Sequence, residues 1–214
     1  RIINTGGVSC TTDTTQILNA GLTQSTALYR FEDNVYDTSE STGYINKGAR
    51  FNGSDSKITI SGSPFNLTTY SLSFWIYADD YNQSAASIVN IGLDNTGGTW
   101  GGLAFGVNTN KVFYYGGDSG FFTQTGTTNI TNANWVHVAM VVNGTSITGY
   151  VNGTQDSGLS KTLGSNIAYR GGSINTIGVR QGAFGSYGWW NGNVDELRVY
   201  NDALTATEIG YIAN

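Results

Sequence analysis

Along most of this chain apolar and polar positions alternate with a period of two, the repeat of an extended strand. In the run 70–78, Tyr-Ser-Leu-Ser-Phe-Trp-Ile-Tyr-Ala, the residues Leu72, Phe74 and Ile76 alternate with Ser71, Ser73 and Trp75. The run 135–142, Trp-Val-His-Val-Ala-Met-Val-Val, carries large residues on both faces, which predicts a strand buried on both sides. Similar patterns predict strands at 27–31, 57–60, 87–91, 103–107, 111–115, 146–151, 176–179 and 193–200. Asn-Gly pairs at 52–53, 143–144, 152–153 and 191–192 are read as the turns between them. Many short strands with such turns and little helical periodicity predict a sandwich or barrel.

The two ends break the pattern. Residues 1–26 read as an arm with a short helix, in which Asp13 is the cap, Gln16 follows three residues on and Gly21 is the stop. Near the other end Thr205-Ala-Thr-Glu208 is a capping box that predicts a short terminal helix. Residues 27–214 are therefore expected to form one all-β domain behind that arm.

Composition narrows the function. With 30 glycines and one proline among 214 residues, turns must be made by Gly, Asn, Asp and Ser. A net charge of −5 excludes a nucleic-acid partner, whose phosphates demand clustered Lys and Arg. No stretch approaches the roughly 20 apolar residues of a membrane-spanning helix, so no membrane insertion is expected. Charged residues make up 12%, leaving a Ser-, Thr- and Asn-rich surface that suits an extracellular or particle-bound protein. Cys10 is the one cysteine, so no intrachain disulfide forms. Met140 is the one methionine, and the chain is expected to be a processed product or a piece of something longer.

Three segments resemble the laminin-G-like family of the concanavalin A-like lectin/glucanase superfamily. They are Ala-Leu-Tyr-Arg-Phe-Glu-Asp-Asn at 27–34 with Ala-Arg-Phe-Asn-Gly-Ser at 49–54; Ser-Leu-Ser-Phe-Trp-Ile at 71–76 with Trp-Val-His-Val-Ala at 135–139 and Gly-Tyr-Val-Asn-Gly at 149–153; and Trp-Asn-Gly-Asn-Val-Asp-Glu-Leu-Arg-Val-Tyr-Asn-Asp-Ala-Leu at 190–204. The resemblance implies a two-sheet antiparallel jelly-roll sandwich with a short N-terminal helix or arm and a short C-terminal helix. Between Asp37 and Ala49 the chain is shorter than the Gly-rich loop usual in that family. The lead-in Thr-Thr-Asp-Thr-Thr-Gln-Ile-Leu-Asn-Ala-Gly at 11–21 also resembles that of repeated laminin-G-like domains in marine phage structural proteins, which implies a virion-associated setting.

Relatives of this fold that hydrolyse glucans place two carboxylates on one strand face, about 5–5.5 Å apart for retention of configuration. The glutamates here are Glu32, Glu40, Glu196 and Glu208, and no two share a strand at that spacing. Asp195 and Glu196 are adjacent, which on a regular strand turns them to opposite faces. The lone His137 sits mid-strand between valines and is read as structural. The expectation is a binding module and not an enzyme.

Calcium is the one cofactor expected, in a structural role. Family resemblance places it between the first and last strands, with Glu32, Asp33, Asp55 and Asp195 as candidate ligands. Sugars stack their C–H faces on aromatic rings while polar groups fix the hydroxyls. Trp75, Trp135 and Trp190 fall at core positions of the family, which leaves Trp100, Tyr114, Tyr187 and Trp189 as candidate ligand contacts. The run Tyr114, Tyr115, Phe121 and Phe122 flanks a glycine-rich loop, and Arg170 and Arg180 are the candidates for holding a carboxylate or sulfate. A glycan or host-surface receptor is the expected partner, beside neighbouring virion or surface proteins. The alternative is a decoration domain that mediates protein assembly without binding glycan.

Overall fold

The computed structural model describes residues 27–29, 39–45, 47–60, 67–96, 99–118, 120–167, 175–182 and 185–214. Its strands are β1 (Ala27–Tyr29), β2 (Ser39–Thr42), β3 (Lys47–Asn52), β4 (Ile58–Ile60), β5 (Thr69–Tyr77), β6 (Ala86–Thr96), β7 (Thr99–Asn108) and β8 (Lys111–Gly117). There follow β9 (Phe121–Asn129), β10 (Val136–Asn143), β11 (Ser146–Val151), β12 (Thr154–Thr162), β13 (Asn175–Ile177), β14 (Arg180–Gly182), β15 (Gly185–Tyr187) and β16 (Asn191–Tyr200). One helix, α1 (Ala206–Ile212), follows the last strand. The predicted N-terminal arm and helix, with Cys10, lie outside the described residues.

Two antiparallel sheets face each other. The larger runs β12-β11-β10-β5-β16-β3-β2 with β1 also on β16, and the smaller runs β4-β13-β6-β7-β8-β9. The chain is the jelly-roll sandwich expected. Side chains of period two from both sheets fill the space between them: Leu72, Phe74 and Ile76 from β5, Val138 and Met140 from β10, and Leu103, Phe105 and Tyr114 from the smaller sheet. Trp190 and Phe51 are fully enclosed in the same core.

The larger sheet is also covered on its outside, which is why β10 is buried on both faces as its sequence predicts. Helix α1 and the segment before it bring Leu204 and Ile209 onto Ala139, Val141, Tyr150 and Tyr200. The helix begins where the capping box requires. Thr205 Oγ1 accepts from Glu208 N, and the Glu208 carboxylate accepts from Thr205 N at 2.8 Å. Further along that face the Tyr44 ring stacks on Trp75 at 3.5 Å, and Trp75 packs edge-on to His137.

Two local expectations are overturned. Asn191-Gly192 is not a turn but the start of β16, paired with Asn52 and Phe51 of β3. The glycine is needed there because a Cβ would stand 2.3 Å from the Trp190 ring. At Asp195 the ladder to β5 gains an extra residue, with Asp195 opposite Trp75 and Arg198 opposite Ser73, and Glu196 takes a φ of 49°. This bulge breaks the alternation expected of Asp195 and Glu196.

Candidate functional site: an aromatic cleft on the open sheet face

Among the described residues no helix lies over the outer face of the smaller sheet, and a cleft of about 330 Å³ opens there. Strand alternation builds its floor. On β8, Val112 and Tyr114 point into the core, so Phe113 and Tyr115 point outward, where their rings stack 5.2 Å apart. The neighbouring edge strand β9 supplies one wall: Thr123 lies opposite Tyr115, and Thr125 opposite Phe113. Phe121, at the start of β9, packs 6.1 Å from Tyr115 and remains 51% exposed.

The other wall is the small hairpin β14–β15. Its register sets Arg180 directly opposite Tyr187. The hairpin docks on β6: Asn90 Nδ2 donates to the Gln181 carbonyl at 3.2 Å, and Ser87 N donates to the Gly188 carbonyl at 2.6 Å. The Arg180 guanidinium stands 5.1 Å from the Tyr115 ring centre and 5.0 Å from that of Tyr187. Two aromatic faces thus hold one cation. The Tyr115 hydroxyl shares a 2.5 Å hydrogen bond with Ser87 Oγ, which fixes the floor. Burial pushes the Tyr115 pKa up, against the hydrogen bond to Ser87 and the nearby Arg180 charge, and the phenol stays protonated. Ser84, Ala85 and Asn108 close one end.

The candidate residues fall in different places. Arg180 and Tyr187 line the cleft together. Tyr114 is a correction: it is fully buried between the sheets and reaches no solvent, and its neighbour Tyr115 takes the outward position. Trp189 is half-buried beside Gly188, bridged to Ser87 by a parallel pair, and is not in the lining. Trp100 belongs to β7 opposite Asn95 of β6, so its backbone forms a strand ladder instead of a free loop. Phe113, Thr123 and Thr125 are lining residues that the sequence reading passed over.

Of the four expected calcium ligands the structure describes two, Asp55 and Asp195, and these two lie apart. Asp55 sits in an exposed turn, accepting from Asn52 Nδ2 at 2.6 Å. Asp195 lies beyond the other end of the β3–β16 ladder, so the two carboxylates are separated along it. Glu32 and Asp33 lie outside the described residues, among which no three His, Cys, Asp or Glu side chains gather for a metal. Of the two described candidates, Asp195 has the surroundings of a buried ligand. Its side chain is fully enclosed, Oδ2 accepts from Ile45 N at 2.9 Å, and a Cβ on Gly43 would stand 2.7 Å from that oxygen.

Glu196, Glu208 and His137, all outside the cleft, have structural partners. Glu196 pairs with Arg198 at 2.6 Å, and Glu208 caps α1. His137 is buried, with Nε2 and Ser73 Oγ 2.8 Å apart. Burial, reinforced by the nearby Arg198 charge, pushes its pKa down to about 3, so the ring is neutral.

Residues 52–210 match the family model of the concanavalin A-like lectin/glucanases superfamily, laminin-G-like branch. The chain belongs to this family. Among solved structures it is similar to domain 4 of AbnA, a GH43 extracellular arabinanase from Geobacillus stearothermophilus, in complex with arabinotriose. The identity is 21% and the TM-score 0.65, over 86% of this chain and 85% of that one. It is also similar to the CBM40 of the Ruminococcus gnavus IT-sialidase bound to α2,3-sialyllactose, at 11% identity and TM-score 0.64, over 78% and 96% of the two chains. A third is the native heptameric SAP-like pentraxin from Limulus polyphemus, at 16% identity and TM-score 0.60, over 77% and 80%. At these identities the likeness is one of fold. No curated protein matches the chain in sequence. Among the described residues no helix is long and apolar enough to cross a membrane.

Proposed function

We propose that this laminin-G-like domain is a non-catalytic carbohydrate-binding module, and that the cleft over β8 is its site. The observation that carries this reading is the pair Phe121 and Tyr187, 51% and 43% exposed, flanking the rings of Phe113 and Tyr115 on the cleft floor. Large aromatics left open on both sides of a cleft are the surfaces on which sugar rings stack. Thr123, Thr125, Asn108 and Ser84 supply hydroxyls and an amide for the sugar's own hydroxyl groups. Among the described residues that line this cleft there is no carboxylate of the kind that glycoside hydrolysis uses in pairs. Fold relatives solved with arabinotriose and sialyllactose add support.

Two finer readings belong to the same proposal. A structural calcium would take Asp195 as one ligand, which supports the loop at 43–45 against β16. Display on an extracellular or virion-associated protein, with a host-surface glycan as partner, agrees with the sparsely charged surface.

A glycan-array screen of the purified chain, repeated with chelator, tests the reading. Binding that Phe121→Ala or Tyr187→Ala weakens, with the melting temperature unchanged, supports the cleft. A folded protein that binds no glycan under either condition sinks it in favour of an assembly domain.

A further inference from the structure

The cleft carries a charge opposite to that of the molecule. The chain has a net charge of −5, yet among the described residues of the cleft lining Arg180 alone carries a formal charge. Among the described residues no carboxylate pairs with it. Its place is set by the Tyr115 and Tyr187 rings, about equally far from the guanidinium carbon, and by a hydrogen bond to the Tyr115 side chain. A guanidinium carries five N–H donors, more than its protein contacts here use, in a fork that matches a planar or tetrahedral oxyanion. A cation with no counter-ion among the described residues favours a ligand that brings the anion itself.

We propose, resting on the glycan-binding reading above, that the cleft selects an acidic sugar and that Arg180 reads its anionic substituent. The shared chemistry is an oxyanion presenting two oxygens to one guanidinium, whether the carboxylate of a uronic or sialic acid or a sulfate ester. The aromatic pair Phe121 and Tyr187 takes the apolar sugar face next to it. The acidic overall charge opposes long-range capture of such ligands, so discrimination must come from this one contact.

Titration calorimetry with matched oligosaccharides tests this. The probes are an oligogalacturonide and its methyl ester, a sulfated galactan oligomer and its desulfated form, and α2,3-sialyllactose with lactose. At least one acidic member should bind about tenfold or more tightly than its neutral partner, the scale of a charge-assisted hydrogen-bonded contact. That preference should shrink in high salt. Which acidic member is preferred tells carboxylate from sulfate. Arg180→Gln should remove the difference between acidic and neutral partner, whatever it does to the affinity common to both, and Arg180→Lys should keep part of that difference. The esterified ligand makes the same test on the unaltered protein, so misfolding of a variant cannot mask the result. Equal binding of acid and ester overturns the proposal and leaves the glycan site standing. No binding of any probe, or of any array glycan, overturns both.

Discussion

Tyr114 and Tyr115 are neighbours on β8 that face opposite sides of the sheet, one sealed in the core and the other forming the floor of the cleft. Their hydroxyls differ in the same way. That of Tyr115 is hydrogen-bonded to Ser87, whereas that of Tyr114 is buried without a hydrogen-bond partner. The same substitution should therefore have opposite signs at the two positions. Tyr114→Phe removes an unsatisfied polar atom and should leave stability unchanged or raised, by up to about 1 kcal/mol. Tyr115→Phe loses a buried bond and should cost about 1 kcal/mol. Urea unfolding of both variants checks this.

Phe121 gives the complementary separation. It is half-exposed at the cleft wall, so Phe121→Ala should change stability by less than about 0.5 kcal/mol. Its effect should be on ligand, with about a tenfold loss of glycan affinity, equivalent to roughly 1.4 kcal/mol of ring stacking. Tyr114→Ala should do the reverse, costing about 3–5 kcal/mol through the cavity it leaves. Paired calorimetry and denaturation of the two variants read these outcomes directly.

These pairs also show what was legible beforehand. The period-two patterns of β5 and β10 and the Thr205–Glu208 box identified core strands and the helix, because burial imposes those patterns. The edge strands β9 and β12 were missed: Phe-Phe-Thr-Gln-Thr-Gly-Thr-Thr-Asn and Thr-Gln-Asp-Ser-Gly-Leu-Ser-Lys-Thr are largely polar, as solvent-facing edges are. At the site, Arg180 and Tyr187 stood out as aromatic and basic residues amid glycines, but their cross-strand pairing did not. For Tyr114 and Tyr115 the alternation says that one faces out, and a register error of one residue picks the wrong one. Which face is left uncovered is decided by distant elements, and no local pattern records it.

His137 makes stability depend on pH well above the carboxylate range. Its folded pKa, about 3, lies below its ordinary 6.5, so the unfolded chain binds the proton first. Its contribution is fully present above pH 6.5 and is lost progressively as pH falls toward 3, by at most about 1.4 kcal/mol per unit. His137→Gln keeps a hydrogen-bonding group for Ser73 and removes the titration. Denaturation midpoints taken from pH 7 to pH 4 should fall for the natural chain and flatten for this variant; parallel slopes would exclude His137 as the cause.

Asp195 offers a direct test of the metal. If calcium rests on this buried carboxylate, adding it should raise the melting temperature by several degrees, since ligand bound to the native state alone stabilises it by mass action. Asp195→Asn should abolish the calcium response, whereas Asp55→Asn, in its exposed turn, should not. Melting curves that are identical with calcium and with chelator would remove the metal from the proposal.

Asp156 fastens one edge of the sandwich, and acid should release it. The carboxylate, 2% exposed on β12, accepts from Thr127 N at 2.8 Å, Thr127 Oγ1 at 2.9 Å and Thr128 N at 2.8 Å, all on β9 of the opposite sheet. A fourth donor is Gly158 N on its own strand, at 2.9 Å. Burial alone would push the Asp156 pKa up, but the amides of Thr127 and Thr128 outweigh it and hold the carboxyl well below the usual 3.8. The depressed folded pKa gives a contribution present above pH 3.8 and lost as pH falls below it, a window under that of His137. Asp156→Asn places an amide N–H₂ against donors that need acceptors, and should cost about 2 kcal/mol or more at neutral pH. Hydrogen exchange locates the effect. Amides of Thr127 and Thr128 should lose protection in Asp156→Asn while those of β5 and β10 keep theirs, because β9 is an edge that opens before the core does. Since Thr123 and Thr125 of the cleft ride on the same strand, the variant should also bind its glycan more weakly without any change in the residues that touch it.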